Sequence, residues 1–66
     1  MNEEMNKDKL VILFQNHRVT VDLRRIVAIN HPNDGDKFFR VYFGGDMVWN
    51  VGLDQHDGLY KAWMRV

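Results

Sequence analysis

Apolar and polar positions alternate along most of the chain, and residues that favour turns interrupt the alternation at intervals. Leu10 to Gln15 is a β-branched and aromatic run, and Arg18-Val19-Thr20-Val21-Asp22-Leu23 alternates strictly. Period-two patterning of this kind predicts two half-buried strands. A turn at Asn16-His17 would join them and place Leu10, Ile12, Phe14, Val19, Val21 and Leu23 on one face. All of these are apolar, which favours that register because a slip of one residue would turn the whole set outward.

Ile26 to Asn30 is the next expected strand, followed by the turn-forming run His31-Pro32-Asn33-Asp34-Gly35-Asp36. Asp34-Gly35 suits a type I′ hairpin, because glycine adopts positive φ without steric cost and aspartate tolerates it. A hairpin centred there sets Ile26, Ala28 and Asn30 opposite Phe43, Val41 and Phe39. Phe38 to Phe43 and Met47 to Val51 then flank Gly44-Gly45-Asp46. A loop of those three residues collects Phe39, Val41, Phe43, Met47, Trp49 and Val51 on one face, whereas a Gly-Gly turn sets Arg40 across from Trp49. The first register gives a wholly apolar face and is preferred.

Asp54 to Val66 reads as a short helix. Leu59, Trp63 and Val66 recur at helical spacing, Asp54 or Asp57 is available to cap the first turn, and Lys61 and Arg65 suit the C-terminal end of the helix dipole. Gly58 disfavours helix and sets a later start at Leu59 as the alternative. Residues 1–9 carry no periodic pattern and are expected to be a flexible tail. The expected fold is therefore β-rich α+β: a five-stranded antiparallel meander over residues 10–66, flat or curled into a roll, closed by one short C-terminal helix.

This patterning leaves one feature unaccounted for. The core face is continuous with the helix stripe, yet alternation also delivers Val11, Leu13, Val27, Ile29, Phe38, Tyr42 and Val48 to the opposite face, beside Arg40. One short helix cannot shield both sides. Contiguous exposed apolar surface usually marks an interaction site, so these eight residues are the candidate partner-binding set. Curling of the sheet into a roll is the alternative, in which some of them are buried within the monomer.

Length sharpens that expectation. A chain of 66 residues buries only roughly 60% of the surface its unfolded form exposes. Small domains of this kind commonly rely on disulfides, a metal or association. The absence of cysteine removes the first and all thiolate metal sites. Self-association as a homodimer, or docking on a larger protein, is left as the simplest supplement. The apolar run Leu10 to Phe14 is too short for a signal-peptide core or a membrane span, and no segment joins a basic face to an apolar one over helical length. A cytoplasmic protein without membrane contact is expected.

Chemistry is sparse. There is no serine or cysteine, and Thr20 is the only threonine, so a nucleophile-based catalytic constellation has almost no candidate and an enzyme is not expected. Asp54-Gln55-His56-Asp57 clusters two carboxylates and an imidazole, but a metal site would need ligands from elsewhere, such as His17 or His31, at no recognisable spacing. Asn33-Asp34-Gly35-Asp36 lacks the alternating oxygen ligands and distal glutamate of a calcium loop. Gly44-Gly45 lacks the lysine and following helix of a phosphate cradle. Trp49, Trp63, Phe39 and Phe43 are expected in the core rather than around a ligand. No cofactor or metal is expected.

Charge bears on one remaining alternative. Nine Lys and Arg balance nine Asp and Glu, which disfavours binding led by phosphate neutralisation. A local strip of Arg18, Arg24, Arg25, Lys37 and Arg40, with Tyr42 and Phe38 for base stacking, would still suit single-stranded nucleic acid. Asp22, Asp34, Asp36 and Asp46 lie among them and would repel phosphates. The leading expectation is a non-catalytic protein-binding module, acting as a small regulator, inhibitor or assembly subunit; the alternative is a nucleic-acid-binding accessory domain.

Overall fold

The computed structural model describes residues 8–66. The tail expected over residues 1–9 falls mostly outside that range, and Lys9 already belongs to the first strand. In chain order the elements are β1 (Lys9–Phe14), β2 (His17–Asp22), a 3₁₀ turn (Leu23–Arg25), β3 (Ile26–Ile29), β4 (Phe38–Phe43), β5 (Met47–Gly52), a second 3₁₀ turn (Leu53–Gln55) and α1 (His56–Met64). All strand pairs are antiparallel. The β-rich α+β class stands, but the five strands form two sheets rather than a single meander: a hairpin β1-β2 and a three-stranded sheet β3-β4-β5.

The division has a local cause at Leu23. The Asp22 carboxylate accepts a hydrogen bond from the Arg24 amide at 3.1 Å, capping the 3₁₀ turn, and Leu23 turns into the core with 1% of its surface exposed. The chain therefore leaves the first sheet instead of folding back beside β2. β1 comes to lie alongside β5. There the Phe14 ring stacks on Trp49, centroids 4.2 Å apart and planes within 10°.

The first hairpin turns at Gln15-Asn16, not at Asn16-His17. Both residues have positive φ, 55° and 69°, the backbone of a type I′ turn, whose twist matches that of the flanking strands. Moving the turn by one residue slides the pairing by two, so the faces survive while the partners change. Ile12 faces Val19, Leu10 faces Val21, and Lys9 faces Asp22, an opposite-charge pair, where Leu10 was expected to meet Leu23.

A β-bulge alters the second hairpin more deeply. Ile26 pairs with Phe43 as expected, but the register then shifts, so that Ala28 pairs with Tyr42 and Ile29 with Val41. The extra residue, Val27, reverses the facing of everything after it. Ile29 is consequently buried in the core, and its expected place on the opposite face is corrected. Asn30 extends the ladder: its amide donates to the Arg40 carbonyl at 3.1 Å and its side-chain oxygen accepts from the Arg40 amide.

Asp34-Gly35 does turn the chain, but not as a type I′ hairpin. Gly35 alone has positive φ (92°), the Asp36 amide bonds to the Asn33 carbonyl at 3.1 Å, and the Asp36 carboxylate accepts from the Asn33 amide at 2.9 Å. The turn sits inside a longer loop closed by its own side chain, so it need not match the twist of β3 and β4.

The third hairpin follows the expected three-residue loop, with Phe43 opposite Met47, Val41 opposite Trp49 and Phe39 opposite Val51. Its inner face meets Ile12, Val21, Leu23, Ile26, Ile29 and Leu59 in one buried cluster. The helix begins at His56 after the 3₁₀ turn, and neither Asp54 nor Asp57 caps it through its side chain, contrary to expectation. Leu59 and Trp63 face the core, joined by Tyr60 and Ala62, but Val66 lies beyond the helix and is exposed. The Trp63 indole N–H donates to the Ile26 carbonyl at 3.2 Å, fixing the helix over the start of β3.

Candidate protein-binding face

The face turned away from this core is built by alternation on β1, β4 and β5. Val11 and Leu13 project from β1, Phe38, Arg40 and Tyr42 from β4, and Val48 and Asn50 from β5, with Tyr42 beside Val48 and Arg40 beside Asn50. Val11, Leu13, Phe38 and Val48 are 52%, 50%, 58% and 44% exposed. Val27, in the bulge on the β3 edge, is also exposed, and Tyr42 is half-buried. Seven of the eight sequence-predicted residues thus lie at the surface. Ile29 is the exception.

Leu13 and Phe38, far apart in the chain, share one open groove of about 400 Å³ with Gln15, Asn16, Asn50, Gly52, Asp54 and Gln55. Phe38 also borders a smaller groove of about 290 Å³ with Asn30, Asp36, Lys37, Arg40 and Asn50. An apolar centre is therefore rimmed by amides and by charges of both signs. Gln55 holds the groove floor. Its Oε1 accepts from the Leu13 amide at 2.7 Å and its Nε2 donates to the Leu13 carbonyl at 2.6 Å. No local pattern announces that contact, which spans 42 positions.

The basic residues proposed for nucleic acid divide into separate groups. Arg24 and Arg25 line a groove with Asp22, Phe43, Gly44 and Met47, at the β4-β5 loop. Lys37 and Arg40 gather at the other end of β4 with Asp36. Arg24 is already engaged, 3.3 Å from the Asp8 carboxylate and 3.7 Å from that of Asp22. Arg18 stands across from Leu13 on β2. The Arg24 amide, with Lys9 and the two arginines nearby, holds the Asp22 carboxyl below its usual value of 3.8.

His56 is structural in its contacts. Its ring meets Phe39 edge-on at 4.9 Å, stacks with Tyr60 at 5.8 Å and lies 5.6 Å from His31. Its Nδ1 approaches Asp57 at 3.5 Å, while Nε2 is buried without a hydrogen-bond partner among the described residues. Among the described residues no three His, Asp or Glu side chains are gathered to hold a metal ion. His17 lies in the first hairpin, opposite Phe14. Phe39 and Phe43 are core residues, and Trp49 and Trp63 are half-buried against them. No described helix is long and apolar enough to cross a membrane. Compared with protein families, curated proteins and solved structures, the chain matches none.

Proposed function

We propose that this domain is a non-catalytic protein-binding module that docks through the outer face centred on Leu13, Phe38 and Val48, serving as a small regulator, inhibitor or assembly subunit. The observation that carries this reading is the sharing of one groove by Leu13 and Phe38, two large apolar side chains each about half exposed. Burying the exposed half of each such side chain contributes roughly 1 kcal/mol. Arg40, Lys37, Asn50 and Asp54 form a mixed polar rim, the usual setting of an interface whose centre is apolar. A groove this open suits a protein surface better than a small ligand, which is normally enclosed on most sides.

Nucleic acid is supported less well, because Asp36 lines the groove of Lys37 and Arg40, and Arg24 is held by carboxylates. The deciding experiment compares proteins captured from host extract by the wild type, by Leu13→Asp with Phe38→Asp, and by Val66→Asp as a surface control. A partner held by the wild type and the control but lost by the double variant is the expected result. Equal capture by all three overturns the reading, and salt-sensitive capture of nucleic acid alone would favour the alternative.

A further inference from the structure

The sheet edges are treated very differently. β3 is interrupted by the Val27 bulge, and its Ile26 carbonyl is taken by Trp63. β1 lies beside β5, and its Leu13 amide and carbonyl are both taken by Gln55. Bulges and covering groups are the ordinary means by which proteins stop sheets from adding strands. β2 has neither. It pairs with β1 along all its residues without a shift, and among the described residues no strand pairs with its other side. It contains no proline and no lysine.

The direction of its free groups follows from the turn. Phe14 and His17 flank a two-residue turn and form a hydrogen-bonded pair, so alternate residues of β2 bond to β1 and the intervening ones face away. Arg18, Thr20 and Asp22 are the outward set. The bonds from Gln55 to Leu13, the cross-strand partner of Arg18, agree with that phase.

We propose that β2 pairs antiparallel with β2 of a second copy of this chain, about a twofold axis through Thr20. In that register Thr20 meets the partner copy's Thr20, and Arg18 meets the partner copy's Asp22 on both sides of the axis. Every outward N–H and C=O finds a partner, and opposite charges lie directly across, which stabilises strand pairs. Lys9 stands across from Asp22 on β1 and Arg24 lies 3.7 Å from its carboxylate, so the partner copy's Arg18 joins cations already gathered there. Sliding the strands to centre on Arg18 or on Asp22 sets like charges together, and smaller slides leave the charges and some backbone groups unpaired. Charge thus selects one register and one occupant. The strand interface alone is smaller than the roughly 800 Å² per partner of a standard complex, so association is concentration-dependent.

No β2 residue lines the Leu13-Phe38 groove, although Arg18 stands across from Leu13; Thr20→Pro, which acts on the backbone of the edge, and Phe38→Asp, which acts on the groove, let the two proposals fail separately. Sedimentation equilibrium over a wide concentration range should give a mass rising from 7.9 kDa toward twice that. Thr20→Pro removes an outward N–H at a position where an edge strand tolerates proline, and should leave a folded monomer by circular dichroism. Should that variant unfold, charge reversal supplies the test on an exposed side chain. Arg18→Asp sets like charges across the twofold axis without touching the Asp22 cap of the 3₁₀ turn, and should be monomeric. A wild type that stays monomeric at every concentration overturns the proposal. So does a dimer that persists in both Thr20→Pro and Arg18→Asp, or one abolished by Phe38→Asp but not by these.

Discussion

Gln55 lies against Leu13 as a neighbouring strand would, accepting from its amide at 2.7 Å and donating to its carbonyl at 2.6 Å. One side chain thereby joins the turn before the helix to the outer edge of β1. Gln55→Ala removes both bonds, and because the site is open, water replaces part of what is lost. The expected cost is about 1–2 kcal/mol by urea denaturation. Gln55→Glu should cost at least as much, since a carboxylate has no donor for the carbonyl. Hydrogen exchange at the Leu13 amide should accelerate in Gln55→Ala; unchanged exchange would remove Gln55 from this role.

Phe14 and Trp49 join the two sheets where β1 lies alongside β5. A stacked pair at 4.2 Å contributes about 0.5–1.5 kcal/mol beyond the area it buries. A double-mutant cycle with Phe14→Leu and Trp49→Leu should return a coupling in that range. Strictly additive effects would mean that the two sheets are held by the shared aliphatic core alone.

Asp22 gives the domain a definite acid response. Its carboxyl titrates below 3.8 in the folded protein because it accepts the Arg24 amide bond, so its contribution to stability is complete above the unfolded value and is lost as pH falls through the folded one. The window is thus the acid side of 3.8. A carboxyl-detected NMR titration should find the lowered value. Asp22→Asn should flatten that part of the stability profile, and an unshifted titration would dissociate Asp22 from the 3₁₀ turn.

Legibility in the sequence follows how local each cause is. The β4-β5 register was readable because only a three-residue loop makes Phe39, Val41, Phe43, Trp49 and Val51 share a face. The first hairpin kept its faces although its turn lies one residue earlier, since a slide of two preserves parity and parity is all that alternation encodes. The separation into two sheets was not readable: Leu23 fits a strand pattern perfectly, and only the Asp22 cap and the core beyond it draw the residue out of the ladder. Gln55 was equally silent, because its partner is remote in the chain. The outer face survived these errors except where the bulge at Val27 intervened, for a bulge adds a residue without breaking the apolar run Ile26-Val27-Ala28-Ile29.

That bulge supplies the sharpest test of the fold. Without it, alternation turns Ile29 outward with Val27; with it, Ile29 pairs with Val41 inside the core while Val27 stays in solvent, 8% against 65% exposed. The two residues have similar size and polarity, so introducing the same carboxylate at each isolates the effect of facing. At Val27 a glutamate remains hydrated, and the expected change is within about 0.5 kcal/mol. At Ile29 it must either be desolvated as a charge or be protonated in an apolar site, and either costs several kcal/mol. A domain of this length has a total stability of roughly 3–10 kcal/mol. Ile29→Glu should therefore be largely unfolded by circular dichroism at neutral pH, even at concentrations where no association is detectable, and should regain structure as pH falls toward the carboxyl range. Val27→Glu should fold like the wild type throughout. An Ile29→Glu that folds as well as Val27→Glu would put the register back to simple alternation and turn Ile29 onto the outer face.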